Sequence, residues 1–264
     1  MFRAWGERLG EVCSSLGAWI VTIGAAALDG VMPRQCFSCA QPLWRENGLC
    51  ASCWSKLTLI DAPLCDQRGL PFAYDPGEGV YSAAALARPA TFARARAAAA
   101  FDDVSRGLVH ALKYHDRHEV VRFMARLMVR AGRELLREVD IVASVPLHRT
   151  RLWQRRYNQS ALLAREIACH YDRRCENELL HRVRATRAQV GLDHRRRRQN
   201  VHGAFRIDKD KRAVVRGRRI LLVDDVLTTG ATADSCARSC LESGAAAVDV
   251  LVFALVLDPT RLHV

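Results

Sequence analysis

The 264-residue chain predicts an α/β fold, a parallel sheet flanked by helices, with a small N-terminal module built around cysteine. Three observations carry this. After about residue 100, short apolar strand runs alternate with helical stripes. The run Arg219–Thr232 ends a buried strand in two adjacent carboxylates and then turns through a Thr/Gly loop into a helix. Between residues 34 and 80, four cysteines in two CxxC pairs occupy a stretch with no helical periodicity. The chain is 50% hydrophobic and 26% charged, which allows a packed core and excludes wholesale disorder.

In chain order, residues 1–33 predict a helical lead-in stopped by Gly30 and Pro33. Its apolar run, Ser15–Leu28, follows Arg3 and Arg8. It is too short to cross a bilayer and imitates a signal-peptide core, but an amphipathic or core helix explains it as well. Residues 34–80 form the cysteine module. The Ala/Arg-rich stretch Ser82–Ala100 leads into a main domain spanning about 90–260. There Asp102 or Asp103 caps a helix through Leu108, Leu112 and Tyr114. A second helix is expected over about His118–Val139, with Val120, Met124, Leu127, Ala131 and Leu135 on one stripe. Asp140–Pro146 contains a short buried strand and Ser160–His170 a helix. Arg219–Val223 is a strand, Asp234–Ser243 a helix with Gly244 past its end, and Val248–Leu257 a strand.

The cysteines of the module are spaced C-x2-C-x10-C-x2-C: Cys36, Cys39, Cys50 and Cys53. Each CxxC turn presents two thiolates to one ion, so the set fits one structural Zn²⁺ per chain in a tetrahedral shell. Metal-free thiols are the bland alternative. The remaining cysteines are scattered, which argues against a disulfide scaffold and favours a reducing, cytoplasmic setting.

The strongest chemical signal is Arg219-Ile-Leu-Leu-Val-Asp-Asp-Val-Leu-Thr-Thr-Gly-Ala-Thr232. The carboxyl end of a strand in an open α/β sheet faces the ligand crevice. Gly230 permits a tight turn, and the following helix N-terminus offers amide donors to a phosphate. Thr228, Thr229 and Thr232 add hydroxyls, while Asp224 and Asp225 suit vicinal sugar hydroxyls or a Mg²⁺ shell. The pattern calls for a ribose 5-phosphate unit. It is not a Walker A loop, because no Gly-Lys-Ser/Thr follows.

Charge points the same way. Of 40 basic residues 36 are Arg, and the span 149–219 holds 21 basic against 7 acidic residues, so an anionic partner should meet this stretch. Nucleic acid could use the same charge. However, Trp153, Tyr157, Tyr171 and Phe205 are too sparse for an evident base-stacking platform.

These runs resemble a known family. Arg219–Thr232 is similar to the signature by which type I phosphoribosyltransferases bind phosphoribosyl pyrophosphate (PRPP). Val145-Pro-Leu-His-Arg through Asn158-Gln159, Leu112-Lys113-Tyr114, and Thr186–Phe205 resemble successive blocks of the ComF family of competence proteins, with Arg156 and Tyr157 as departures. The resemblance covers about residues 28–258. It implies a type I phosphoribosyltransferase-like sheet, an N-terminal zinc ribbon, and Mg²⁺–PRPP as ligand. Asp224 and Asp225 then serve the ribose, and Val226, Leu227, Thr228, Thr229, Gly230, Ala231 and Thr232 the 5-phosphate. Leu147, His148, Arg149 and Arg151 form a pyrophosphate loop, and Arg187, Gln189 and Arg197 belong to a mobile loop that closes over the ligand. The family's second ribbon is degenerate here, since Arg68 stands where the partner of Cys65 is expected. The implied function is phosphoribosyl transfer with release of pyrophosphate, linked to DNA uptake. The alternative is a non-catalytic PRPP sensor or adaptor beside single-stranded DNA and an uptake helicase.

Overall fold

A computed structural model describes residues 34–43, 48–77, 79–114, 118–147, 157–184 and 203–258. The expected lead-in helix and the arginine-rich blocks 148–156 and 185–202 lie outside the described residues.

The cysteine module contributes α1 (Ala51–Lys56), capped by the Cys50 side chain, and α2 (Ala83–Ala87), capped by Ser82, follows it. Strand β1 (Arg94–Ala100) follows. Sequence periodicity does not announce it, because Arg-Ala-Arg-Ala-Ala-Ala-Ala favours helix by propensity. Burial on both faces overrides that preference. Helix α3 (Asp103–Tyr114) begins as expected, the Asp102 carboxylate accepting from Ser105 N–H at 2.7 Å, and Leu112-Lys113-Tyr114 forms its last turn. The long helix expected over 118–139 divides into α4 (His118–Ala131) and α5 (Arg133–Glu138) at Gly132. A Cβ at Gly132 would stand 2.8 Å from the methyls of Leu251, so the absence of a side chain lets the chain press against the sheet there.

The remaining elements are β2 (Ile141–Ser144), α6 (Gln159–His170), β3 (Arg174–Cys175), β4 (His181–Arg182), β5 (Phe205–Arg206), α7 (Arg212–Val215), β6 (Arg219–Leu227), α8 (Ala231–Glu242) and β7 (Ala247–Leu255). The main sheet has the order β1-β7-β6-β2-β3 and every pair in it is parallel. Strands β4 and β5 form a separate antiparallel pair.

Both faces of the sheet are buried, as parallel sheets require. Along β6, Ile220 and Leu222 face α8, packing with Cys236, Ala237 and Cys240. Leu221 and Val223 face α3, α4 and α6, packing with Met124, Met128, Leu163 and Ile167. The outer edge of β1 is closed by the cysteine module: Ile60 N–H donates to Ala98 O, Ala100 N–H to Thr58 O, and Ala95 N–H to Gln67 O. That covering removes an open strand edge. The cysteine module also rests on α4, where Phe37 and Trp54 meet the Phe123 ring edge-on at 5.8 and 6.1 Å.

Connectivity positions the site. From β2 the chain passes through α6 to β3 on one side; from β6 it passes through α8 to β7 on the other. The carboxyl ends of β2 and β6 therefore sit side by side where the winding reverses, which is where such sheets open a ligand crevice.

Candidate functional site

Strand β6 does not end at Val223, as its apolar run suggests. It pairs with β2 only as far as Val223, yet stays paired with β7 through Leu227. Asp224 and Asp225 thus lie inside the strand, at the point where one neighbour has stopped and the crevice begins. Val226 and Leu227, expected in the phosphate loop, are strand residues, Leu227 buried and Val226 partly so. The loop itself is Thr228–Gly230, and α8 starts three residues earlier than its apolar pattern indicates, with Ala231 and Thr232 in its first turn. Gly230 caps that helix at φ +79°, a left-handed conformation that favours glycine. Thr229 is buried, and its hydroxyl oxygen has no partner among the described residues.

Two helices converge on the carboxylates of β6. From the start of α6, Ser160 Oγ donates to Asp224 Oδ1 at 2.8 Å, and Asp225 N–H donates to the same oxygen at 2.9 Å. From the end of α3, Lys113 Nζ pairs with Asp225 Oδ2 at 3.0 Å. Burial pushes the Asp224 carboxyl up to about 7, and the charge of Asp225 adds to this; the hydrogen bonds from Ser160 and Asp225 N–H oppose it. Ser160 and Lys113 have no site role readable from local pattern, since they reach Asp224 and Asp225 from 64 and 112 residues away.

Asn158 explains part of the block before α6. Its amide donates to Val145 O at 3.2 Å and its carbonyl accepts from Ser160 N–H, tying the helix start to the end of β2. Tyr157 OH donates to Leu112 O at 3.0 Å. Leu147 is partly buried just beyond β2. His148, Arg149, Arg151, Arg187, Gln189 and Arg197 lie outside the described residues.

The cysteine cluster is compact. The four Sγ atoms of Cys36, Cys39, Cys50 and Cys53 lie within 4.8 Å of one another, and those of Cys39 and Cys50 are 3.7 Å apart. The edge of a ZnS₄ tetrahedron with bonds of about 2.3 Å is about 3.8 Å. The donor set therefore fits zinc. Among the thiols, burial is outweighed at Cys36 by N–H donors from Cys39, Cys50 and Ser38, which draw it down to about 6. Burial and the neighbouring sulfurs push Cys53 up to about 12. Among the described residues no helix is long and apolar enough to cross a membrane.

Fold and sites together define a parallel α/β domain with a loop-and-carboxylate crevice at its switch point and a ribbon of zinc-ligand type on its edge. The double zinc ribbon domain family matches residues 27–85. DNA utilization protein YhgH of Escherichia coli (strain K12) is 34% identical over 225 residues, covering 83% of this chain and 96% of that protein. Competence protein F of Haemophilus influenzae is 28% identical over 210 residues, covering 78% and 89%. The chain belongs to the ComF family. Of solved structures, a glutamine PRPP amidotransferase from B. subtilis complexed with ADP and GMP is 24% identical at a TM-score of 0.33. The match covers 53% of this chain and spans 29% of that one.

Proposed function

We propose that the protein binds Mg²⁺–PRPP at the carboxyl ends of β2 and β6 and transfers its phosphoribosyl group with release of pyrophosphate, in the service of DNA uptake or use. One observation carries this reading: a carboxylate pair, held by Ser160 and Lys113, precedes a Thr/Gly loop whose buried hydroxyl, at a helix N-terminus, has no partner among the described residues. Asp224 and Asp225 accept the two ribose hydroxyls, and the amides of Gly230–Thr232 with the Thr hydroxyls take the 5-phosphate. Two adjacent carboxylates are a donor set that fits Mg²⁺. When bound, the ion would neutralise charge on the diphosphate. Arg149 and Arg151 would hold the leaving group by forked contacts. Catalysis on this reading is positioning and charge stabilisation, with no covalent residue. The DNA link rests on the names of the relatives.

Calorimetry with Mg²⁺–PRPP tests binding, and steady-state pyrophosphate release with candidate acceptors tests transfer. Saturable binding that the double variant D224N/D225N loses is the expected result; no binding by folded wild type would end the proposal. Binding without release would leave the protein a PRPP sensor or adaptor. The four-cysteine set would carry one structural zinc.

A further inference from the structure

The N-terminal module contains two knuckles with the same backbone. In the first, Cys36 N–H donates to Gln41 O at 2.8 Å, Ala40 N–H donates to Cys36 O at 3.0 Å, and Gln35 bridges Pro42. In the second, Cys65 N–H donates to Leu70 O at 2.7 Å, Gly69 N–H donates to Cys65 O at 2.8 Å, and Leu64 bridges Pro71. Ala40 and Gly69 both have positive φ, 59° and 65°. Matching these bonds puts Arg68 where the first knuckle has the thiol of Cys39. The Cys65 thiol is fully buried and accepts from Ser82 N–H at 3.2 Å.

Docking holds this second knuckle in place. Gln67 exchanges hydrogen bonds with Ala90, at 3.1 and 3.4 Å, and Arg96 donates to Asp66 O at 2.8 Å. Contact with β1 is so close that a Cβ on Gly69 would stand 2.5 Å from Ala95 O.

The docking directs Arg68 at the loop before α8. Its Nη1 lies 3.9 Å from where a Cβ on Gly230 would stand, beside Phe92, and Nη2 donates to Arg88 O at 2.6 Å. Its Nε is buried with no partner among the described residues, like the hydroxyl oxygen of neighbouring Thr229, a residue 6% exposed. A guanidinium beside a helix N-terminus meets the positive end of the dipole and is disfavoured there. Asp234, the carboxylate of the first turn, has Oδ1 occupied by Thr91 N–H at 2.6 Å. A phosphate monoester seated among Arg68, Thr229 and the first amides of α8 relieves the unpartnered groups and the dipole conflict together.

We propose that Arg68 is a phosphate-binding residue of the crevice, and that the second knuckle delivers it from the zinc-ligand position. This rests on Thr228–Thr232 being the phosphate loop. The test is calorimetry of wild type, R68Q and R68K with ribose 5-phosphate and with Mg²⁺–PRPP, with ligand-free melting and zinc content as folding controls. Loss of one charge-assisted contact should weaken R68Q by about 10- to 100-fold. The loss should be equal for both ligands, because Arg68 touches the monoester and not the diphosphate. R68K keeps the charge but not the fork and should fall between. A folded R68Q that binds ribose 5-phosphate within about twofold of wild type overturns the proposal, as does a loss confined to PRPP. If R68Q does not fold, R68K decides: unchanged affinity for ribose 5-phosphate overturns the proposal. Should D224N/D225N abolish binding while R68Q leaves it intact, only the role of Arg68 falls. If wild type binds neither ligand, the site reading falls with it.

Discussion

Replacing Asp224 with Asn should stabilise the protein, and only above about pH 4. The amide oxygen of Asn can still accept from Ser160 Oγ and Asp225 N–H, so the geometry at Oδ1 is kept while one charge is removed. Burial and Asp225 raise the Asp224 carboxyl from 3.8 to about 7 in the native state. Undamped, that difference corresponds to about 4 kcal/mol. Asp224 is partly open to solvent and shares the effect with Asp225, so about 2 kcal/mol is expected. Below about pH 4 both native and unfolded states are protonated, and wild type and variant should melt together on this account. Between about 4 and 7 the native state keeps a proton that the unfolded state releases, so wild type loses stability relative to the variant as pH rises. Above about 8 both states are ionised and the gap is constant. For a chain of this size the gap amounts to about 4–8 °C in Tm. Differential scanning calorimetry of both proteins from pH 4.5 to 8.5 measures it. A gap that does not change with pH, or a variant less stable at pH 8, would refute the claim that burial and like charge strain this strand.

Elemental analysis of protein never exposed to chelator should give about one zinc per chain; two would show that the second knuckle also holds metal, and none would dismiss the ribbon. Changing Arg149 and Arg151 together to Ala should weaken PRPP far more than ribose 5-phosphate, and equal losses in the two titrations would remove them from the diphosphate. Asp249 is fully buried at the amino end of β7 and holds Arg94 and Arg219, each at 3.0 Å. Urea unfolding of Asp249→Asn should therefore show a loss of about 3–5 kcal/mol. Because Asp249 lies at the end of the sheet opposite the crevice, affinity for ribose 5-phosphate should not change.

Local pattern was enough for the elements that carry strong periodicity or fixed chemistry. The parallel α/β class, the helix capped at Asp102, the four zinc-type cysteines and the Asp-Asp/Thr-Gly run all declare themselves over a few residues, because spacing and residue type act locally. Tertiary packing decided the rest. Strand β1 is nearly all alanine and became a strand because β7 and the cysteine module pair with its two edges. Helix 118–139 is interrupted at Gly132, where the chain passes so close to Leu251 that a side chain would clash. The carboxylates remained inside β6 because β7 continues to pair after β2 has stopped. Ser160 and Lys113 reach the carboxylates, and Arg68 the neighbourhood of Gly230, from three distant segments, and no sequence period connects them. Their convergence follows from the order of strands in the sheet and from a knuckle held on its edge by backbone contacts, and these depend on the whole chain being folded.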